Sequence, residues 1–156
     1  MVFPVLRLVR SCCDAGGEQA LAQVLSIMVG MPALPWVERQ AIGHDREYVV
    51  MVSRLPLTSY RFVPGFLRDT LRIRRQLATT AGLVAYSLNA QLTRKTFWTY
   101  SVWTDQESLD AFAAAEPHRT IVGRLRSRMD ESRFTFLPVR GAEIPSEWDA
   151  MMSPVR

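Results

Sequence analysis

The stretch SVWTDQESLDAFAAAEPHRT, residues 101–120, joins the end of an apolar run to the beginning of a helix. Thr104 and Glu107 have the spacing of a capping box, in which the hydroxyl accepts a hydrogen bond from the N–H of the third helical residue. This spacing predicts a helix that begins directly after Trp103. Proline cannot continue a helix without losing a hydrogen bond, so Pro117 predicts a second helical piece beyond it.

Apolar runs and a helical pattern surround this stretch in a regular order. The run at 47–54 is apolar on both alternating faces, which predicts a strand covered on both sides. A helix is predicted from Pro64, which suits a first helical turn, to a point just before Gly82. Further strands are predicted in three places: 83–90, 96–103 and 133–139.

The order strand, helix, strand, strand, helix, strand is that of a ferredoxin-like, split βαβ fold. We therefore predict an α+β domain with a four-stranded antiparallel sheet and its helices on one face. The opposite face would leave the apolar strand at 47–54 uncovered, and an uncovered apolar face promotes association. A second copy of the sheet would cover it and give a homodimer, a dimeric α+β barrel. The N-terminal segment is the rival candidate for that cover.

The two strands at 83–90 and 96–103, which predict a hairpin, each present two different faces, because side chains alternate along a strand. One face is plainly apolar and is expected to carry Val84, Tyr86 and Leu88 with Trp98, Tyr100 and Val102. The other face mixes aromatic and small hydroxyl side chains, and in its second strand it carries Phe97, Thr99, Ser101 and Trp103. Such a mixture is typical of a pocket wall. A partly exposed sheet face would look the same.

The domain boundaries follow from where these elements begin and end. Residues 1–45 are expected to form a helical lead-in, with a short helix near 17–29, and a proline-bounded linker. Residues 46–140 form the ferredoxin-like domain. Residues 141–156 form a tail whose Trp148 packs back onto the domain.

Composition and charge limit the class of protein. With 156 residues, of which 48% are hydrophobic and 22% charged, the chain can bury a core and is not a disordered one. Its net charge of +4 falls short of the clustered basic stripe of a nucleic-acid-binding protein. The apolar segment 20–36 is interrupted by glycine, prolines and polar residues, so we expect no membrane span.

The cysteines and histidines are few. Cys12 and Cys13 are adjacent and cannot join distant segments, which favours a reducing, cytoplasmic location. His44 and His118 are the only histidines, so a protein-ligated zinc lacks ligands. The glycine-rich motifs of nucleotide-binding folds and the nucleophile elbow of hydrolases are also missing. We therefore expect neither a metal nor a nucleotide cofactor.

The stretch YSVWTDQESLDAFAAAEPHRTIVGRLRSRMD, residues 100–130, is followed by a Phe-rich strand and by VRGAEIPS. Together they resemble the dimeric α+β barrel superfamily, which includes the antibiotic-biosynthesis monooxygenases. The chain is most similar to a DUF3291-like branch, and more distantly to spheroidene monooxygenase. The likeness covers roughly residues 46–145. It implies the ferredoxin-like fold, a homodimer and a monooxygenase-like activity.

The resemblance also implies which positions line a substrate cavity. In the quinone-forming monooxygenases of the superfamily, a strand-end Trp and an Asn four residues before it do so. Here these positions hold Trp103 and Thr99. In the haem-degrading members, the Asn of the first strand corresponds to Ser53 or Arg54, and Phe112 lies nearer the position of the family's His than His118 does.

The chemistry of a cofactor-independent oxygenase sets matching requirements. It needs an apolar cavity and a base that ionises a phenolic or enolic substrate, because the substrate anion itself reduces oxygen. His118 is the candidate base, with Arg119 or Arg54 stabilising the anion. The plainer interpretations are a surface or capping histidine and, for Trp103, a residue that packs against the next helix.

The first functional hypothesis is therefore a small monooxygenase-like enzyme that oxidises an aromatic or polyene compound, a small apolar partner, without a cofactor. Two others remain open. The protein could bind or degrade haem, with His118 as an axial ligand, or it could bind a small ligand or assemble without catalysis. No nucleic-acid partner is expected.

Overall fold

The computed structural model describes residues 36–145 and 147–155. The strands are β1 (Val37–Glu38), β2 (Glu47–Pro56), β3 (Leu83–Gln91), β4 (Thr96–Trp103) and β5 (Arg133–Arg140). The helices are α1 (Val63–Leu77), α2 (Gln106–Ala114), α3 (His118–Leu125) and α4 (Trp148–Met152). Within these residues the order of elements confirms the predicted ferredoxin-like α+β fold.

The sheet is antiparallel throughout and has the strand order β1-β3-β4-β2-β5. It therefore has five strands in the described residues, and the prediction of four was one too few. The additional strand is the two-residue β1, in which Val37 pairs with Tyr86 of β3. A pair of residues is too short to show a period of two, so no sequence pattern could indicate it.

Helices α1, α2 and α3 pack on one face of the sheet through apolar stripes. On α1 the buried stripe includes Phe66 and Leu77, and on α2 it consists of Leu109 and Phe112. The spacing of three, four or eleven residues between such positions places them on one side of a helix. These stripes meet side chains of β2, β3 and β4 in two buried clusters that form the roof and sides of the site described below.

The end of α1 and the start of α2 differ from the predicted positions. Helix α1 ends at Leu77 and not near Gly82. Gly82 has a φ of 75°, a left-handed conformation that favours glycine, and a Cβ there would lie 2.1 Å from the hydroxyl oxygen of Ser108. The glycine is thus required for the close approach of the β3 start to α2, and not as a helix cap.

The N-cap of α2 is Asp105, one residue later than predicted. Its carboxylate accepts the backbone N–H of Ser108 over 2.7 Å, and the Thr104 hydroxyl donates to that carboxylate over 2.8 Å. The pKa of Asp105 is lowered, first by the hydrogen bond from the Ser108 backbone. A charged carboxylate at a helix start is favoured over a hydroxyl by the helix dipole, which explains the shift of the cap.

The opposite face of the sheet is covered by the chain's own C-terminal segment. Helix α4 and the turn after it bury Met151, Met152 and Val155, which are 3%, 7% and 1% exposed. Trp148 is half-buried against the same cluster, so the expected return of this residue to the domain is observed. The apolar pattern of β2 is therefore met at least in part within one chain, and the homodimer stays a prediction.

The segment before β2 also contacts this face. Trp36 and Ile42 pack against the same cluster as Met151 and Val155. The ring centroids of Trp36 and Tyr100 are 6.0 Å apart. Part of the range 36–45, assigned to the linker by sequence, thus belongs to the sheet or packs on it, while the predicted helix near 17–29 and the cysteine pair lie outside the described residues. No helix in the described ranges is long and apolar enough to cross a membrane.

Candidate functional site

A cavity of about 130 Å³ lies between the sheet and helices α1, α2 and α3. Its lining is mostly apolar and aromatic and includes Met51, Phe66, Ile73, Tyr86, Leu125 and Phe134. An apolar cavity of about 150 Å³ in another protein holds benzene, so this volume suits one aromatic ring. A larger substrate would have to extend out of the cavity.

The strand face that forms the cavity floor is only in part the one expected. In β4 the face with the mixed side chains, including Thr99, Ser101 and Trp103, lines the cavity. In β3 the cavity side carries Tyr86 and Leu88, which were assigned to the opposite face. An irregularity between Leu83 and Ala85 breaks the alternation of two, which explains the difference.

Three aromatic rings form one wall. Trp103 at the end of β4 is fully buried, and its ring centroid lies 5.1 Å from that of Phe112 on α2. The Phe112 ring lies 4.6 Å from the imidazole of His118 at the start of α3. All three side chains line the cavity. Trp103 and His118 are thus brought to one site, with Phe112 between them.

The indole of Trp103 is anchored by a hydrogen bond inside the protein. Its Nε1 donates to the hydroxyl of Ser101 over 2.9 Å. A buried indole N–H without a partner would be costly, and Ser101, two residues earlier on the same face of β4, supplies the acceptor. Trp103 is therefore held in one orientation by both packing and a polar contact.

His118 is held in a defined protonation state. Its Nδ1 lies 3.1 Å from the carbonyl oxygen of Ala113, and because a carbonyl can only accept, Nδ1 carries the proton. Burial lowers the pKa of His118 below its usual 6.5, while the bond to Ala113 opposes this to a smaller extent. At neutral pH the imidazole is therefore neutral, with its lone pair on Nε2. The backbone N–H of His118 also donates to the side chain of Gln76 over 3.1 Å.

Two hydroxyls on the cavity floor contact each other. Ser53 on β2 and Thr99 on β4 have their side-chain oxygens 2.6 Å apart, and Thr99 is 3.8 Å from the sulfur of Met51. These two positions are the ones at which the resemblance implied an asparagine. The pair supplies a polar spot in a floor that is mostly apolar and aromatic.

A buried carboxylate lines the cavity from α1. Asp69 is 2% exposed, and its Oδ2 accepts a hydrogen bond from Arg124 of α3 over 2.6 Å. The Oδ1 atom is buried and has no hydrogen-bond partner among the described residues. Asp69 was not among the site residues predicted from the sequence. The signal was available, because Asp69 is three residues after Phe66 and four before Ile73, inside the apolar stripe of a helix.

The two arginines proposed from sequence lie away from the cavity. Arg54 pairs with Trp98 and Arg133 in the sheet, on the face opposite to the cavity floor. The Arg119 side chain is 72% exposed and forms an ion pair with Glu116 over 3.0 Å. The arginines at the cavity are others: Arg74 lines it, and Arg124 binds Asp69, which also lines it.

A haem does not fit this site. Pockets for drug-sized ligands measure about 300–1,000 Å³, and a haem is at least as large a ligand. The cavity of about 130 Å³ is far smaller, and Phe112 and Trp103 fill the space beside His118. We therefore derive no function through haem.

The fold and site together define a class: a ferredoxin-like α+β domain with an apolar, histidine-lined cavity between its sheet and helices. Solved structures with a similar fold include a provisionally assigned monooxygenase of Fusobacterium nucleatum, with a TM-score of 0.61 at 10% identity over 78% of this chain and 60% of that one. Another, of Lactobacillus acidophilus, gives 0.56 at 8% identity over 68% and 49%. An antibiotic biosynthesis monooxygenase gives 0.51 at 14% identity over 58% and 95%.

The chain therefore shares its ferredoxin-like α+β fold with these structures, which confirms the fold that the resemblance implied. It spans about half to three fifths of the length of the first two proteins. No family model matches the sequence, and no curated protein does. Identities of this size show the fold alone, and the DUF3291-like branch stays a prediction.

Proposed function

We propose that this protein is a cofactor-independent, monooxygenase-like enzyme that oxidises a phenolic ring in the cavity between the sheet and helices α1 to α3. The observation that carries the proposal is the state of His118. It lines an apolar cavity, its Nδ1 proton is held by Ala113, and its Nε2 is free to accept a proton at neutral pH.

The proposed reaction uses the substrate itself as the reductant. His118 Nε2 takes the proton of the phenol, and the phenolate forms a C–O bond to dioxygen at a ring carbon that carries hydrogen. The protonated imidazole returns its proton to the peroxide. Loss of the ring C–H proton and cleavage of the O–O bond then release one water and leave a quinone, so one oxygen atom enters the product and the other becomes water.

The other lining residues have supporting roles in this proposal. Trp103 and Phe112 supply flat aromatic walls against which a ring can stack. The hydroxyls of Ser53 and Thr99 can donate to an oxygen that becomes negatively charged. The mainly apolar lining keeps water away from the reacting ring. Arg54 and Arg119 have no role in it, because both lie outside the cavity.

The volume of the cavity favours a single aromatic ring over a long polyene. A non-catalytic binding protein needs the same cavity but not the free Nε2 of His118, so the histidine distinguishes the two functions. We further propose that the protein is cytoplasmic. Its proposed partners are a small phenolic molecule and a second copy of the chain.

Oxygen uptake tests the proposal. The wild-type protein is incubated with a panel of phenols and hydroquinones, and oxygen consumption is followed together with quinone absorbance. His118→Ala is expected to lower the rate at least 100-fold, because general base catalysis contributes about 10²–10⁴. The matched control is His44→Ala, which removes the other histidine, an exposed residue outside the cavity. Wild-type rates in His118→Ala would refute the catalytic role.

A further inference from the structure

We propose that Asp69 is a ligand-binding residue, which accepts a hydrogen bond from a second hydroxyl group on the substrate, so that the cavity takes a dihydroxyaromatic ring. This inference rests on the proposed function, because it concerns the same cavity. It goes further in naming the substrate class and a binding residue on the opposite wall from β4.

The position of Asp69 is the first argument. Along α1 the residues that line the cavity are Phe66, Asp69, Thr70, Ile73, Arg74 and Leu77. Asp69 therefore belongs to the inward stripe of the helix and not to the exposed stripe of arginines beside it. Its side chain is 2% exposed, in a wall that otherwise consists largely of apolar groups.

The hydrogen bonding of the carboxylate is the second argument. Arg124 Nη2 donates to Oδ2 over 2.6 Å, which fixes the carboxylate and offsets its charge. The Oδ1 atom is buried and has no hydrogen-bond partner among the described residues. Two further arginines of α1 lie near this atom, with Arg72 Nη1 at 3.6 Å and Arg68 Nε at 4.0 Å, both beyond hydrogen-bond distance.

A buried carboxylate oxygen without a donor is costly to leave unpaired, and a ligand donor removes that cost. An ionised carboxylate accepts only, so it selects a ligand group that donates, such as a hydroxyl, and disfavours a ligand carboxylate. Thr70 does not compete, since its hydroxyl already donates to the carbonyl oxygen of Phe66 over 2.9 Å. A second hydroxyl on the ring is therefore the group that Asp69 would bind.

The experiment compares two ligands of similar shape, hydroquinone and p-cresol, in which one hydroxyl is replaced by a methyl group. Dissociation constants are measured by titration calorimetry for the wild type and for Asp69→Leu, and the ratio of p-cresol to hydroquinone constants is compared. We expect the ratio to fall about tenfold or more in Asp69→Leu, because a hydrogen bond to a charged group is lost for hydroquinone alone.

Two further variants separate ligand binding from a structural role. Asp69→Asn keeps the shape and an acceptor oxygen but loses the charge, so a smaller fall in the ratio is expected, and this variant decides the matter if Asp69→Leu does not fold. Arg72→Gln is the control for the surface arginine nearest to Oδ1 and should leave the ratio unchanged. A ratio that changes as much in Arg72→Gln as in Asp69→Leu would assign Oδ1 to that arginine and overturn the inference.

The outcomes also separate this inference from the proposed function. Binding of both ligands with an unchanged ratio in Asp69→Leu would overturn the role of Asp69 and leave the phenol-binding cavity intact. Failure of the wild type to bind either ligand would overturn the cavity's proposed function and this inference with it.

Discussion

The substitution Met151→Ala tests whether the C-terminal segment covers the second face of the sheet in solution. Met151 is 3% exposed and packs in a cluster with side chains of β2 and β4, among them Val50 and Tyr100. Replacing a buried methionine by alanine removes its contacts and leaves a cavity, which costs about 2–5 kcal/mol. Because a domain has about 5–15 kcal/mol of stability, this loss is a large fraction of the total.

The loss is measured by urea denaturation followed by tryptophan fluorescence, and by the melting temperature. For a chain of this length, 1 kcal/mol corresponds to about 2–4 °C, so a fall of about 4–20 °C is expected. The control is Ser153→Ala, an exposed position in the same segment, which should change stability by less than about 0.5 kcal/mol. A cost below about 1 kcal/mol for Met151→Ala would show that the segment is not docked, and that another cover, such as a second copy, takes its place.

Four other predictions concern the cavity and the edge of the sheet. Trp103→Phe should lower the free energy of unfolding, measured by urea denaturation, by about 1–3 kcal/mol, because it removes buried volume and leaves the Ser101 hydroxyl without its donor. It should also weaken p-cresol binding in calorimetry, and a wild-type affinity would make Trp103 a packing residue only. In the pH profile of kcat/KM, the midpoint of the low-pH limb should lie below pH 6.5, because burial lowers the pKa of His118. A midpoint above pH 6.5 would contradict this. The same shift affects the free energy of unfolding: the contribution of neutral His118 is fully present above pH 6.5 and is lost as the pH falls through the lowered pKa. In melts at different pH, His118→Gln should abolish this pH dependence. Phe134 and Phe136 are 51% and 52% exposed on the edge strand β5 and lie on the same face as Met51 and Ser53, so we expect a homodimer to form through this edge and not through the face that α4 covers. Light scattering of Phe136→Ser should then show dissociation, and a wild-type mass that stays monomeric at all concentrations would rule the dimer out.

The order of elements could be predicted from the sequence because long periodic patterns dominate it. The run at 47–54 and the helix after Pro64 each contain many apolar side chains, and the spacing of these side chains matches that of a strand or a helix. The two-residue β1 and the irregularity at Leu83–Ala85 could not be predicted, since both depend on pairing with distant residues. Local patterns contain no information of that kind.

The candidate site was predictable in part for the same reason. Trp103 and His118 were identified because each stands at the end of a recognisable element. The arginines were harder to place, because an arginine near a strand or helix end can point to either side. Asp69 and Arg124 are 55 residues apart in sequence, and only the packing of α1 against α3 joins them. A polar residue in an apolar stripe was the one local sign of this pair.

The cover provided by α4 has a consequence for how the protein is made. The last strand of the sheet ends at Arg140, but the side chain that completes the second face, Val155, is synthesised fifteen residues later. Until that segment docks, a chain with a formed sheet presents Val50, Tyr100 and their neighbours to solvent. Copies in which the C-terminal segment is not yet docked should therefore be the ones most prone to aggregate or to be bound by chaperones.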